Sequence, residues 1–376
     1  MKISFISVFP PYRGGISTHS KLILNELKKN NEVQAINFIK LYPSIFFPGK
    51  SEYNADKYVM GDRMLSSINP LTWRRVVSSI KRNKSDILII KFWHPFFVPC
   101  YNYIINKIKR NSDCKIMMIF DNIFPHEAFP FSKLLLKKLL INVDAHIVQS
   151  GKVERDLNSL LSNPIYDKVF HPIYDNYPKA INKKDAKSQL QLSNSDVVLF
   201  FGLIRDYKGL DLLISSMETV FKNNSNIKLL IAGECYGNKD KYIQMIQKSQ
   251  YSERILWKEE YIKDDAVNIY FSASDVVVLP YISASQSGII PLSYHYNKPV
   301  IVSDLEGLKE VVDIGKTGHV FNHKSREDLS LSILKFFKSY DEEYYNKNIQ
   351  EYKLNFAWSN FQDSIVKLIG SLKNES

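Results

Sequence analysis

The chain has 376 residues, 45% hydrophobic and 24% charged, with 15 prolines, 14 glycines and 13% aromatic side chains. That apolar fraction argues against a mainly disordered, collagen-like or low-complexity chain, and the length predicts about two domains. Cys100, Cys114 and Cys235 are scattered and odd in number, which argues against a disulfide scaffold or a Cys-rich zinc module and fits a reducing compartment.

The formal net charge is +11, and it is unevenly placed. Residues 1–178 carry 25 basic and 14 acidic side chains, whereas residues 179–376 carry 25 of each. The excess positive charge therefore belongs to the first half, which points to a polyanion or an anionic membrane as its partner. No zinc-finger, RRM or KH signature accompanies it, so no nucleic-acid partner is expected.

The first half alternates strand-like and helical runs. KISFISVF (Lys2 to Phe9) reads as a first strand, not a signal peptide, because two prolines follow and no small-residue cleavage site does. HSKLILNELKKN (His19 to Asn30) has helical spacing, and EVQAINFI (Glu32 to Ile39) is strand-like again. Further strands are predicted at DILIIKF (Asp86 to Phe92), CKIMMIFDN (Cys114 to Asn122) and AHIVQS (Ala145 to Ser150). The apolar stretch from Asp86 to Ile105 contains Lys91, His94, Pro95 and Pro99, so it is not read as a membrane span. PFSKLLLKKLLINV (Pro130 to Val143) sets leucines beside Lys133, Lys137 and Lys138. That pattern suits either a bilayer surface or an ordinary helix with a solvated lysine face.

Residues 163–194 loosen into a stretch of three prolines, a lysine pair and many Asn/Asp residues, read as an interdomain connection. A second alternation follows. Strands are predicted at Asp196 to Ile204, Ile227 to Glu234, Arg254 to Glu259, Asp275 to Tyr281 and Pro299 to Asp304. A helix is predicted from Gly209 to Asn223, with the last helices from Arg326 to about Leu372. The expected fold class is α/β, with two doubly wound parallel-sheet domains whose strand-end loops face a cleft.

Three loops have the chemistry of phosphate binding. In FPPYRGGISTHS, Gly14 and Gly15 open a strand-to-helix turn to close approach by an anion, with Ser17 or Thr18 as a candidate helix cap; an ordinary tight turn is the plainer reading. In FGLIRDYKGLDLLI, Gly202 ends a strand, and Arg205 and Lys208 are placed to neutralise a departing diphosphate. In LPYISASQSGIIPL, Ser285, Gln286, Ser287 and Gly288 supply hydroxyl, amide and backbone donors before a helix near Ile289.

These loops, in this order, resemble the retaining nucleotide-sugar glycosyltransferases of family 4, with the GT-B fold of two Rossmann-like domains. KPVIVSDLEGLKEVVDIGKTGHVF resembles that family's C-terminal-domain signature, and DNIFPHEAF followed by AHIVQSGKVERDL resembles a segment of its bacterial members. The resemblance implies an acceptor-binding domain over 1–178 and a nucleotide-sugar domain over 179–355. It also implies a final helix over 356–376 that can cross back to the first domain. Arg205 and Lys208 match the basic pair on the donor diphosphate, and Gly15 matches the loop glycine near it. Asp121 falls where many members carry a histidine close to the transferred sugar. Ala284 and Leu292 stand where many members carry paired glutamates, and the Gln-Ser-Gly loop is expected to substitute for them. His126 and Glu127 are candidate acceptor or sugar contacts, or structural residues.

No metal and no cofactor are expected. The implied activity is retaining transfer of a hexose from a nucleotide diphosphate sugar to a glycan or polyprenyl-diphosphate-linked acceptor. The implied setting is bacterial surface-polysaccharide assembly, for O-antigen or capsule, in the cytoplasm at the inner face of the membrane. Two alternatives share the fold: a non-catalytic sugar-nucleotide-binding subunit, and a sugar-nucleotide epimerase.

Overall fold

Runs of Ile, Val, Leu and Phe bounded by polar turns form strands buried on both faces, as parallel sheets covered by helices require. The computed structural model describes residues 1–42, 53, 58–124, 132–174 and 176–374. The chain divides into two units, Met1–Phe170 with Trp358–Ser376, and His171–Ala357.

In the first unit the elements follow as β1 (Lys2–Ile6), α1 (Gly15–Lys28), β2 (Glu32–Lys40), β3 (Asp62–Ser66), α2 (Pro70–Asn83) and β4 (Ile87–Phe92). They continue as α3 (Val98–Lys109), β5 (Lys115–Phe120), α4 (Ser132–Leu140), β6 (Ala145–Val148), α5 (Gly151–Leu160) and β7 (Tyr166–Lys168). The seven strands form one parallel sheet ordered β3-β2-β1-β4-β5-β6-β7. Ile3 pairs with Val33 on one side and Ile87 on the other, which puts the order reversal between β1 and β4. Phe92, Phe97, Tyr101, Ile104, Met118 and Leu139 belong to the core beneath α2 to α5.

The second unit runs α6 (Lys183–Gln189), β8 (Asp196–Phe201), α7 (Leu210–Asn223), β9 (Ile227–Ala232), α8 (Lys239–Lys248), β10 (Ile255–Lys258) and α9 (Val267–Ala273). After these come β11 (Val276–Leu279), α10 (Ile289–His295), β12 (Val300–Ser303), α11 (Glu306–Lys309), β13 (Gly318–Phe321), α12 (Arg326–Lys338) and α13 (Glu342–Tyr352). Its six parallel strands are ordered β10-β9-β8-β11-β12-β13, with the reversal between β8 and β11. The last helix, α14 (Trp358–Asn374), packs on β6, β7 and α1 of the first unit. Two doubly wound α/β units are thus present, as the alternating pattern predicts.

Some elements escape the pattern. β3 is polar, DRMLS, and pairs with β2 through register shifts. β7 and α6 both lie within residues 163–194, the stretch read as a connection. The Asn182 side chain accepts from the Lys184 and Asp185 N–H groups, a cap sufficient to start α6 among Asn and Lys residues.

Candidate functional site

Open α/β sheets bind ligands beyond the carboxyl ends of their strands, where the strand order reverses. In the second unit that place is the pair of loops after β8 and β11. The first holds Gly202, Arg205 and Lys208, the second Ser285, Gln286, Ser287 and Gly288. The loops are fastened together: the Ile282 N–H donates to Tyr207 O at 2.8 Å. Gly209 adopts φ 66°, and a Cβ there would come 1.9 Å from Pro280 O, so only glycine fits.

Lys208 Nζ lies 5.5 Å from the Tyr281 ring centroid, and 3.5 Å from where a Cβ on Gly202 would stand. The Arg205 guanidinium lies 5.8 Å from the Tyr236 ring. Neither cation has a carboxylate partner among the described residues. Burial, with Arg205 adding repulsion, pushes the Lys208 ammonium down to about 8. A polyanion placed here would relieve both effects.

The second loop offers neutral donors. Ser285 is 1% exposed, and its Oγ has no hydrogen-bond partner among the described residues. A buried hydroxyl left so is costly, and a ligand oxygen would satisfy it. Ser287 Oγ accepts from the Ile289 N–H at 3.2 Å and lies 3.4 Å from the Tyr281 hydroxyl. Gln286 is half-buried, and Gly288 lets the Tyr174 hydroxyl approach to 2.7 Å of a hypothetical Cβ. Ala284 and Leu292 are both buried, so this loop-helix junction presents no carboxylate at either position.

In the first unit the strand order reverses between β1 and β4. Gly14, with φ 97°, is the N-cap of α1, and no side chain among the described residues caps the helix. Ser17 and Thr18, expected as caps, instead lie buried inside it, because the Gly14 turn starts the helix before them. Gly15 is its first residue.

Asp121 follows β5, and its N–H donates to Phe92 O at 2.9 Å. Its carboxylate is buried against two partners that sequence reasoning missed. Lys91 Nζ sits 3.1 Å from Asp121 Oδ1 and 2.5 Å from His19 Nδ1, while His19 lies 3.9 Å from the same oxygen. The ammonium donates, so His19 Nδ1 accepts. Burial pulls the Lys91 ammonium down and pushes the Asp121 carboxyl up, and each group opposes the other's shift. Trp358 and Phe361 of α14 pack their rings 5.9 and 6.1 Å from His19. The one available signal was the lone lysine inside DILIIKF, where all six residues of β4 (ILIIKF) are buried. His126 and Glu127 lie outside the described residues. Among the described residues, no three His, Cys, Asp or Glu side chains gather as metal ligands.

Comparison with known proteins bears on the same region. Residues 182–353 match the family model described as glycosyl transferases group 1. A glycogen synthase of Streptococcus uberis is 26% identical over 244 residues, covering 60% of this chain and 50% of that protein. A glycogen synthase of Francisella tularensis is 26% identical over 238 residues, covering 57% and 47%. The chain thus spans about half the length of the curated relatives it matches. Among solved structures, the sucrose-phosphate synthase of Thermosynechococcus elongatus superposes with a TM-score of 0.78 at 17% identity, over 100% of both chains. Anabaena HepE in complex with UDP gives 0.78 at 15% identity, over 99% of this chain and 100% of that one. These likenesses establish the fold as GT-B. Residues 182–353 are thus similar to the glycosyl transferases group 1 model, within a GT-B architecture of two parallel-sheet α/β units.

Proposed function

We propose that the protein is a retaining glycosyltransferase that moves a hexose from a nucleotide diphosphate sugar to a hydroxyl of a glycan or lipid-linked glycan. The observation that carries this reading is the unpaired Arg205–Lys208 pair at the strand-order reversal of the group 1 domain. In transfer, the bond between the anomeric carbon and the diphosphate breaks and a bond to the acceptor oxygen forms. The negative charge that grows on the diphosphate meets Arg205 and Lys208, and the acceptor proton passes to the departing phosphate oxygen. Ser285, Gln286, Ser287 and the backbone at Gly288 supply neutral hydrogen bonds to the donor, in place of the carboxylates of the family 4 pattern.

Gly14 and Gly15 allow close approach to the phosphates, and Asp121 contacts the transferred sugar. Asp121 is held for that role by Lys91 and His19. The scheme uses side-chain cations and backbone donors, with no metal or cofactor. UDP-sugars are the first donors to test, because structural neighbours were solved with UDP and with UDP-2-fluoro glucose.

The basic first half fits an acceptor carried on a lipid diphosphate at the inner face of a cytoplasmic membrane. That reading supports a role in bacterial surface-polysaccharide assembly, of O-antigen or capsule. The absence of carboxylates at Ala284 and Leu292 favours one second reading, a subunit that binds the sugar nucleotide without turning it over. The deciding experiment incubates the protein with UDP-, GDP- and dTDP-sugars and extracted lipid-linked glycans, and detects released nucleotide. Release from one donor, lost in Arg205→Ala and Lys208→Ala, supports transfer. Donor binding without release across all acceptors supports the binding subunit.

A further inference from the structure

Helices α2, α3 and α4 pack in sequence, α2 on α3 and α3 on α4, and none of the three contains an aspartate or glutamate. At the frequency of acids in the whole chain, 39 in 376, three helices of this length would carry three or four. The neighbouring α5 does carry Glu154 and Asp156, and α1 carries Glu26. Arg74, Arg75, Lys107, Arg110, Lys137 and Lys138 are all exposed, and none makes an ion pair among the described residues. Lys109 differs, since Asp144 neutralises it.

Aromatic and apolar groups are interleaved with these cations. Trp73, Asn102, Tyr103, Lys107, Arg110 and Lys138 line one depression that joins the three helices. The Trp73 and Tyr103 rings lie 5.7 Å apart, and the indole N–H is anchored on Ser66 O at 2.7 Å. Leu71, Leu134 and Ile141, on or beside α2 and α4, are 64%, 70% and 71% exposed. Large apolar side chains this bare gain nothing from water, and an acyl boundary would cover them. Among the described residues no helix is long and apolar enough to cross a membrane, so the association would lie in the surface plane.

We infer that the outer face of α2, α3 and α4 docks on an anionic phospholipid surface. Lys107, Arg110 and Lys138 take a headgroup phosphate in the depression, and Leu71, Leu134 and Ile141 enter the acyl boundary. The inference rests on the lipid-linked acceptor proposed above and names the surface that meets the membrane. Nucleic acid would match the charge equally well, but it offers nothing to three bare aliphatic side chains.

The test is sedimentation of the full chain with vesicles of phosphatidylcholine alone and of phosphatidylcholine with phosphatidylglycerol. The expected result is binding to the mixed vesicles only, weakened by salt. Each cation near an anionic surface contributes roughly fivefold, so Lys107→Glu, Arg110→Glu and Lys138→Glu together should weaken binding by about a hundredfold or more. A matched set on the second unit, Lys222→Glu, Lys248→Glu and Lys338→Glu, should change it several-fold at most. Leu71→Ser with Leu134→Ser and Ile141→Ser should weaken the binding that persists at high salt. Equal loss in both charge sets would overturn the docking face while leaving a membrane partner standing. No binding to mixed vesicles by the unaltered chain would overturn the membrane partner itself. Tighter binding to duplex DNA than to vesicles would assign the face to a different polyanion. Unchanged melting temperature and unchanged UDP binding in the variants separate a docking defect from a folding defect.

Discussion

The two units place charged side chains at the same topological position, the strand-order reversal, and treat them in opposite ways. In the first unit Lys91, Asp121 and His19 close on one another, and the cluster is almost wholly buried. In the second, Arg205 and Lys208 face each other's charge beside the Tyr236 and Tyr281 rings, with no carboxylate partner among the described residues. A closed cluster stabilises and positions, whereas an open one holds its electrostatic cost until a ligand arrives. The contrast separates a scaffold for Asp121 from a receptor for phosphate.

The largest effect that would break this contrast is on turnover. Arg205→Ala and Lys208→Ala should each lower nucleotide release by about 10²–10³-fold, as loss of a preorganised charge contact does. Both should remain folded. Lys208→Met should raise the melting temperature of the free protein by roughly 2–4 °C, because it removes a half-buried cation with no carboxylate partner among the described residues. A variant that loses both stability and activity would show instead that Lys208 holds the fold.

Next comes the closed cluster. Lys91→Met leaves Asp121 buried and unpaired, which should cost about 3–5 kcal/mol in urea unfolding at pH 7.5. The loss should shrink as pH falls, since burial already pushes the Asp121 carboxyl upward and protonation then removes the stranded charge. Lys91→Met with Asp121→Asn should recover most of the stability. An additive double variant would contradict the pairing.

A smaller effect is expected where the two loops of the second unit meet. Gly209→Ala puts a methyl group 1.9 Å from Pro280 O at a positive φ, so the loops must part. Nucleotide binding should fall roughly tenfold, at a stability cost of about 1–3 kcal/mol. Smallest of all, Ser285→Ala should leave stability unchanged or raise it by up to about 1 kcal/mol, because its Oγ has no hydrogen-bond partner among the described residues. It should still weaken donor binding several-fold, by isothermal titration. Destabilisation by a full hydrogen bond would show that Ser285 is already satisfied.

Legibility in the sequence follows the same division. Arg205 and Lys208 stand three residues apart in one loop, so local spacing reveals them, as it does Ser285 to Gly288. The cluster around Asp121 joins residues 72 positions apart, His19 and Lys91, and no local pattern pairs them. The lysine in DILIIKF marks a cost without naming what offsets it. The helix cap was misplaced because a positive φ at Gly14 does the work that a serine or threonine usually does. Strands β3 and β7 were hidden for another reason. Their residues are polar or half-exposed at the sheet's two edges, where alternation and β-branching fade.

The most direct test of the central claim is calorimetric titration of UDP into the protein at pH 8, in two buffers of different ionisation enthalpy. Lys208 holds its proton less tightly in the folded chain than the 10.5 of an ordinary lysine, so its penalty is full below about 8 and relieved as pH rises from there. A diphosphate beside it restores the charge. Binding should therefore take up roughly half a proton at pH 8, weaken above that pH, and lose the proton uptake in Lys208→Arg. Binding of unchanged affinity and no proton uptake, equally strong in Lys208→Ala, would contradict the assignment of this pair as the diphosphate site.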